Sequence, residues 1–477
     1  MAGAALKLRP RRLLEAVVGP FGEVVEDGAR DRSYRTRVVI VLALVIALDY
    51  ADRSAVGALG PDLERAFHIS NTKFGLLASA FSLVGTAATL PAGFLADRMR
   101  RTLLLAVAVA LWCVAMGATG AATTFLFLIA ARTFLGLVTA TARPVLISIT
   151  GDTFPAGVRG RALGMINSGE LVGDGIGFLL AGAIAAFVSW RGVFWALGAA
   201  GIALVVWLAR LPEPPRTGRD GEAPQGDRDD PAEEAVEEDD DVQADEELVL
   251  EGDQEKRGVL DSFRYVLRVR TQLLVIVAIA VASFFFAGLR TFIIVFAVKQ
   301  YGVGRSVADI ALLVSGIGAV AGILAGGRIG DWLIGRGHVN GRLVVSSWSY
   351  VVVVLALVPA FLLGSLWLAL PLYVLGAAAL SAPIATLDAV RLDVIHPQLW
   401  GRAEGVRTLL LIVGEAGGPL LFGLLADRIA GGGAAGLRWT FLGALSTLLV
   451  SAVCLQVARR FYPQEVAAAH ESVERGD

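Results

Sequence analysis

The sequence predicts an all-α membrane protein with twelve transmembrane helices in two pseudosymmetric six-helix bundles. Three observations lead to this fold class. The 477 residues are 55% hydrophobic with a mean hydropathy of +0.65, which is too apolar for a water-soluble domain with one core. Twelve apolar segments reach the length of about 20 residues that a bilayer crossing requires. The two halves of the chain also repeat one another at a constant spacing.

The apolar segments fall into two groups of six, because a polar stretch interrupts them after residue 210. The first six are predicted at 38–59, 73–96, 102–122, 125–149, 162–187 and 190–210. The second six are predicted at 271–298, 306–333, 342–363, 366–390, 405–427 and 438–459. We therefore expect an N-terminal segment over 1–37, a first bundle over 38–210, a linker over 211–260, a second bundle over 261–460 and a tail over 461–477.

The linker is rich in Pro, Gly, Asp and Glu and includes the acidic run from Glu233 to Asp241. Such a segment buries too little apolar surface to offset the entropy lost on ordering, so we expect a disordered tether. A partner-binding role for it remains open. The polar tail after Phe461 is expected to be loose.

Basic residues collect in alternate loops, which predicts the orientation in the membrane. The loops on one side contain Arg98, Arg100, Arg101, Arg159, Arg161, Arg336, His338, Arg342, Arg402, Arg459 and Arg460. We expect that side to be the cytoplasm, with both termini there and the chain integral to the inner (plasma) membrane.

The repeat between the halves is clearest around the fifth helix of each. Residues of the first half stand against residues of the second at an offset of about 241. The pairs are Asp152 with Asp393, Gly160-Arg161-Ala162 with Gly401-Arg402-Ala403, Gly164 with Gly405, Gly173 with Gly414, Gly177 with Gly418, and Asp174 with Glu415. Each half therefore contains one acid at an equivalent depth in the membrane.

Two motifs resemble those of the major facilitator superfamily. Gly93-Phe-Leu-Ala-Asp97-Arg98 followed by Arg101 is similar to the signature between helices 2 and 3, and Arg132-Thr-Phe-Leu-Gly136 is similar to the helix-4 arginine motif. Duplicated halves with a site near mid-membrane are typical of this fold. The resemblance implies transport by alternating access.

Two subgroups of that superfamily are also similar to this chain. Asp49-Tyr-Ala-Asp52-Arg53 and the stretch from Phe67 to Leu77 resemble the spinster-like lipid and lysolipid transporters. The helix-5 pattern Gly169-x-x-x-Gly173-Asp-x-x-Gly177 is similar to that of efflux antiporters. These resemblances imply either a lysolipid-like solute or a drug-like one.

Charged side chains deep in a membrane are costly unless they are paired or hydrated, so each is a functional candidate. Asp49, Asp52 and Arg53 share one face of helix 1, where the arginine neutralises one carboxylate and the other is able to take a proton. A static pair that only holds helix 1 is the alternative. Arg132 on helix 4 is expected to pair with Asp49 or Asp52, or to hold an anionic head group.

Glu170 and Asp174 lie four residues apart on helix 5, and we expect their carboxylates to repel one another and to favour reversible protonation. Glu415 repeats this feature in the second half. A cavity-lining role for Asp174 and Glu415 competes with buried hydrogen bonding, and the glycines around them suit close helix packing. Arg290 on helix 7 is expected either to attract an anion or close an outer gate, or to extend into the head groups.

A third group of charges is predicted to form cytoplasmic latches that break as the bundles tilt. These residues are Asp97, Arg98, Arg101, Asp331, Arg336, Asp388, Arg391 and Asp393. Salt bridges between Asp97 and its neighbouring arginines, and between Asp331 and Arg336, are the expected contacts.

The sequence contains no phosphate-binding loop, nucleophile-base set, metal-ligand spacing or nucleic-acid patch, so we expect no enzyme activity, cofactor, metal or nucleic-acid partner. The expected partners are the bilayer, protons and an amphiphilic small molecule, and the expected state is a monomer. We therefore predict a proton-coupled carrier for an amphiphilic or anionic lipid-like solute such as a lysolipid, with export favoured. The alternative is a proton-coupled multidrug or metabolite efflux antiporter. A channel is a rival from another class, and it would show ion flux without saturation.

Overall fold

The computed structural model describes residues 29–154, 156–214, 236, 244–246, 248–250, 259–396 and 399–475. The helices of the first half are α1 Ala29–Ala58, α2 Gly60–Phe67, α3 Asn71–Arg98, α4 Arg101–Gly120, α5 Phe125–Thr139, α6 Ala142–Thr153, α7 Ala156–Phe187 and α8 Trp190–Ala209. Those of the second half are α9 Val259–Arg268, α10 Arg270–Tyr301, α11 Arg305–Ile334, α12 Gly341–Leu362, α13 Leu366–Asp393, α14 Trp400–Arg428, α15 Gly433–Ala458 and α16 Tyr462–Glu474.

Twelve spans are present in the described part of the chain, as predicted. Nine segments there are long and apolar enough to cross a bilayer, with α5 and α6 together forming one of them. The other three spans are α1, α3 and α14, which have 30, 28 and 29 residues. At a rise of about 1.5 Å per residue, each of these is longer than a hydrocarbon core of about 30 Å. Helix α1 contains the charged residues Asp49, Asp52 and Arg53 within its apolar part.

Helices α1 to α8 form the first bundle and α10 to α15 the second. Because successive spans alternate in direction, α1 begins on the same side of the molecule on which α15 ends. We call that side the terminus side and the opposite one the far side. Within the first bundle α1 packs along α7, where a Cβ at Gly173 or Gly177 would overlap the carbonyl oxygens of Ala47 and Ala51. The predicted role of these glycines in close helix packing is thus confirmed.

An ion pair repeated in both bundles reflects the duplication of the chain. In the first bundle Arg101, at the start of α4, binds Asp152 near the end of α6. In the second, Arg342 near the start of α12 binds Asp393 at the end of α13, with 2.9 Å between Nη1 and Oδ2. Arg101 corresponds to Arg342, and Asp152 corresponds to Asp393, at the same offset of about 241 residues that the sequence shows around helix 5.

The C-terminal tail is a helix packed on the second bundle, so the prediction of a loose tail was wrong. Tyr462 and Val466 of α16 are buried, and the Glu465 carboxylate accepts hydrogen bonds from the first two backbone amides of α10, at 2.7 and 2.8 Å. The described part of the linker also docks here, because the Leu250 amide donates to Ser472 Oγ at 2.8 Å. The acidic run from Glu233 to Asp241 lies outside the described residues, apart from Val236.

Candidate functional site

The most deeply buried ion pair joins helices α1 and α5. Arg132 Nη1 donates to Asp52 Oδ1 at 2.7 Å, and the two side chains are 3% and 0% exposed. Phe81 and Phe194 pack against the guanidinium, whose carbon lies 5.2 and 5.9 Å from their ring centroids. The expected pairing of Arg132 is therefore found, and it is with Asp52. Being sealed in this conformation, Arg132 offers no surface to a solute.

A second pair lies on α1 itself. Arg53 Nη2 is 2.7 Å from Asp49 Oδ2. The arginine side chain is partly exposed, whereas the aspartate side chain is nearly buried. The guanidinium also lies over the rings of Phe81 and Tyr50, at 4.9 and 5.3 Å from their centroids. Asp49 and Asp52 thus each have an arginine, as the spacing on one helix face allows.

Glu170 and Asp174 do not form the repelling carboxylate pair that their spacing suggested, because each binds its own arginine. Glu170 Oε1 is 2.7 Å from Arg143 Nη2, and Asp174 binds Arg290 and also accepts a hydrogen bond from Ser54. The side chain of Glu415 lies outside the described side chains.

Arg290 links the two bundles. It lies on α10 of the second bundle, while its partner Asp174 is on α7 of the first. Its guanidinium carbon is 4.9 Å from the ring centroid of Tyr50 on α1. This inward position rules out the alternative in which Arg290 extends into the lipid head groups.

Tyr50 and Arg143 complete this cluster, and sequence reasoning missed both. Tyr50 carries no charge, and Arg143 has no acid within one helical turn to mark it. The charged neighbours of the Tyr50 side chain are Glu170, Arg53, Arg143 and Arg290. The charged side chains of Arg53, Arg143, Glu170, Asp174 and Arg290 are 29–52% exposed, and we call the space between the bundles that they face the central hollow.

The far side is closed by contacts between the bundles that were not predicted. Lys299 Nζ is 2.7 Å from Glu64 Oε2, and Arg305 binds both Asp62 and the carbonyl oxygen of Ala181. The acids lie on the short helix α2 and the cations near the far-side ends of α10 and α11.

Asp427 makes the densest of the far-side contacts. Its carboxylate accepts hydrogen bonds from the backbone amides of Asn71 and Thr72 at 3.2 and 2.8 Å, and from their side chains at 2.7 and 2.6 Å. An acid at the end of α14 therefore caps the start of α3, a favourable site for negative charge. The signal was present in the sequence, since Gly423-Leu-Leu-Ala-Asp427-Arg428 repeats Gly93-Phe-Leu-Ala-Asp97-Arg98 with one change.

The predicted cytoplasmic latches do not join the bundles in this conformation, so far as their side chains are described. Arg101 binds Asp152 and Glu213 of its own bundle, and Asp388 binds Arg391 of its own helix. Asp331 pairs with Arg342 at 3.2 Å, so the predicted pair with Arg336 was wrong.

The contacts described for Asp393 and Arg336 likewise lie within the second half of the chain. Asp393 accepts a hydrogen bond from the Tyr462 hydroxyl, and Arg336 lies 3.8 Å from the ring centroid of Trp332. Arg98 is exposed, and the side chain of Asp97 lies outside the described side chains. Among described side chains, every ion pair between the bundles lies at the central hollow or beyond it toward the far side.

This arrangement suits transport of a solute better than chemistry on one. Charged side chains in the middle of a membrane form exchangeable pairs around a hollow, one side of which is sealed. No group of three metal-binding side chains occurs in the described part of the chain.

Comparison with known proteins identifies the family. The family model described as Major Facilitator Superfamily matches residues 42–387. A probable L-galactonate transporter of Escherichia coli (strain K12) is 27% identical over 197 residues, which cover 41% of this chain and 43% of that protein. Protein spinster homolog 1 of Xenopus laevis is 30% identical over 196 residues, covering 39% and 36%. The chain thus spans less than half the length of these curated relatives.

The fold has solved counterparts. The crystal structure of a bacterial homolog of the human lysosomal transporter spinster, in an inward-facing and unoccupied conformation, matches with a TM-score of 0.66 at 23% identity. The match covers 93% of this chain and 98% of that one, and shows a shared fold. From the match over residues 42–387 and the twelve-helix architecture, we conclude that the chain is an integral membrane protein and belongs to the major facilitator superfamily.

Proposed function

We propose that the protein is a proton-coupled carrier that moves an anionic, amphiphilic solute such as a lysolipid by alternating access. The observation that carries this proposal is the cluster of Arg53, Arg143 and Arg290 around Tyr50, in a hollow between two bundles. Guanidinium groups bind phosphate and carboxylate through paired hydrogen bonds. The aromatic rings of Tyr50 and Phe81 beside them offer an apolar surface for the rest of the solute.

Coupling to protons is supported by the acids that hold these arginines. Asp49, Glu170 and Asp174 are each bonded to one arginine; Glu170 and Asp174 are partly exposed, and Asp49 is nearly buried. When an arginine turns to a solute or moves with its bundle, its acid loses a positive neighbour and gains affinity for a proton.

The orientation follows from the positive-inside rule. Because the arginine-rich loops lie on the terminus side, we place that side and both termini in the cytoplasm of the inner membrane. In this conformation the hollow is then closed toward the outside, and the solute reaches it from the cytoplasm. The arginine cluster is complete within one chain, which supports a monomeric carrier.

The alternative is a carrier for polar metabolites. The probable L-galactonate transporter of Escherichia coli and the probable galactarate/D-glucarate transporter of Bacillus subtilis are named for sugar acids, whose carboxylates would suit the same arginines. Two directions of coupling also fit the site: exchange of solute for protons, which gives export, and joint movement, which gives uptake.

Proteoliposomes separate these possibilities. Purified protein is reconstituted with an imposed proton gradient of either sign, and the movement of radiolabelled lysophosphatidylglycerol, D-galactonate and a cationic dye is followed. We expect saturable, gradient-dependent transport of lysophosphatidylglycerol. Transport of the dye alone would contradict the anionic solute, and transport of galactonate alone would favour the alternative.

A further inference from the structure

The ion pair between Arg143 and Glu170 is the most exposed of the four pairs described around the central hollow. Arg143 is 52% exposed and Glu170 31%, whereas Arg132 and Asp52 are 3% and 0% exposed. The bond itself is a normal charge-assisted hydrogen bond of 2.7 Å between Nη2 and Oε1. This pair is thus formed in the presence of solvent and is the easiest for a dissolved anion to reach.

The pair also lies within a single bundle. Arg143 is in the first turn of α6 and Glu170 in the middle of α7, both in the first bundle. Arg290 and Asp174, by contrast, belong to different bundles, so their bond breaks when the bundles separate on the far side. Tilting of the bundles does not by itself part Arg143 from Glu170. Something that competes for the guanidinium is required.

The positive charges around the pair indicate that an anion competes with Glu170 for the Arg143 guanidinium. The titratable and charged side chains that face the Arg143–Glu170 pair across Tyr50 are Arg53 and Arg290. Arg53 is bound to Asp49, and Arg290 is bound to Asp174. An arriving anion therefore meets three guanidinium groups, and Arg143 has the largest uncovered surface among them. Its planar fork can bind two oxygens of a phosphate or carboxylate at once.

We propose that Arg143 receives the anionic group of the solute, that the solute displaces Glu170, and that the released carboxylate takes up one proton. This rests on the proposed function, because it requires an anionic solute. The bonds broken are those between Arg143 and Glu170, and the bonds formed join Arg143 to the anion and a proton to Glu170. The proton comes from hydronium in the hollow, which becomes water.

Protonation follows from the charges that remain. A displaced Glu170 carboxylate sits beside a second negative charge and without its arginine, so the neutral acid is favoured. Departure of the solute reverses both steps, and Glu170 returns its proton to water as it binds Arg143 again. Solute and proton then bind together, so the pair couples their movement in the same direction.

The test measures binding and proton uptake on the same sample. Purified full-length protein at pH 7, in weak buffer with a pH-indicator dye, is titrated with lysophosphatidylglycerol below its micellar concentration, and separately with D-galactonate. We expect the wild type to take up about one proton per bound anion. Glu170→Gln should bind the anion at least as well without proton uptake, because a neutral amide does not hold Arg143 as strongly.

Arg143→Gln should weaken binding at least about tenfold and abolish proton uptake. Arg143→Lys keeps the positive charge but loses the planar guanidinium, so its anion affinity should lie between those of the wild type and Arg143→Gln. The matched control is Arg475 with Glu471, an ion pair of similar exposure on α16, at 47% and 34%. Arg475→Gln and Glu471→Gln should change neither readout, and thermal unfolding in detergent verifies that each variant is folded.

The outcomes separate the two levels of the proposal. If the wild type binds anions but Arg143→Gln binds them equally well, or Glu170→Gln still takes up protons, this inference is overturned and the anion carrier stands. If the wild type binds neither anion, the proposed function fails and the inference falls with it.

Discussion

Asp427 accepts a hydrogen bond from the backbone amide of Thr72 at 2.8 Å, so that an acid of the second bundle caps the first turn of a helix in the first. Three further donors from Asn71 and Thr72 complete the contact. The bond is available only while the far-side ends of α3 and α14 touch. It therefore contributes stability to the conformation closed on the far side and none to the one open there.

Replacing Asp427 should open the far side more often. Hydrogen bonds to a charged group contribute about 1.5–3 kcal/mol, so Asp427→Asn should raise the population open on that side at least about tenfold. Far-side opening can be measured at Ser79, which is fully buried in this conformation. The variant Ser79→Cys is made in a background that lacks Cys113 and Cys454, and its labelling by an impermeant maleimide is followed. Asp331→Asn, which alters an acid on the terminus side, is the contrast. Equal labelling in both variants would show that Asp427 is not part of the seal.

Close approach of α3 and α14 depends on a glycine near that cap. A Cβ at Gly423 would overlap the carbonyl oxygen of Asn71, whereas a Cβ at Gly417 of the same helix meets nothing within 4 Å. We expect Gly423→Ala to impair far-side closure, raising maleimide labelling of Ser79→Cys and slowing transport. Gly417→Ala should leave both unchanged. Normal transport by Gly423→Ala would mean that the helices separate there at little cost.

We expect the buried pair of Arg132 and Asp52 to have both a structural and a functional role, and two variants distinguish these roles. Removing one partner leaves a buried charge, so Asp52→Asn should lower stability by about 3–5 kcal/mol. Asp52→Leu combined with Arg132→Met should regain much of that stability, measured by thermal unfolding in detergent. We expect this double variant to fold without proton-driven transport. Transport at the wild-type rate would reduce the pair to a structural element.

Asp49 and Asp174 are predicted to be needed for proton coupling and not for folding. Asparagine has the same shape and still accepts a hydrogen bond from the paired arginine, but it binds no proton. Asp49→Asn and Asp174→Asn should therefore abolish gradient-driven accumulation in proteoliposomes while leaving the unfolding temperature near that of the wild type. Glu471→Gln, in the packed tail, is the control. Full gradient-driven activity in both variants would remove these acids from the coupling mechanism.

Glu213 makes the stability of the first bundle depend on pH. Burial raises the pKa of its carboxyl, but hydrogen bonds from Thr102 and Arg101 outweigh this and lower it from 4.5 to about 2. Because the folded pKa lies below the unfolded one, the contribution is complete above about pH 4.5 and is lost as the pH falls toward 2. Glu213→Gln should cost about 1 kcal/mol at neutral pH, as expected for a lost helix cap.

The pH profile provides the check on Glu213. The wild type should lose more of its thermal stability in detergent between pH 4.5 and 2 than the variant does, because only the carboxylate titrates there. Parallel profiles would show that its hydrogen bonds to the start of α4 contribute nothing to stability.

Much of the site was predictable because ionic groups in an apolar helix stand out. Asp49, Asp52, Arg53 and Arg132 were identified from their depth in predicted helices and from motif resemblance, and Asp52 with Arg132 proved to be partners. Arg143 was overlooked because its acid lies 27 residues away on the next span, at a spacing that no local pattern signals. Glu170 and Asp174 were expected to repel for the same reason, since their arginines come from other helices.

The sequence alone determined the twelve helices, the duplication and the family, because these depend on hydropathy, helix length and repeated motifs. Tertiary structure decided which arginine holds which acid and which side is closed. Most of the described ion pairs join residues on different helices, so they depend on how the helices pack. A carrier with two conformations has one sequence for both, so the sequence does not show which side is closed. Asp427 shows the difference: its motif is legible in the chain, yet its cap on α3 exists only where two bundles meet.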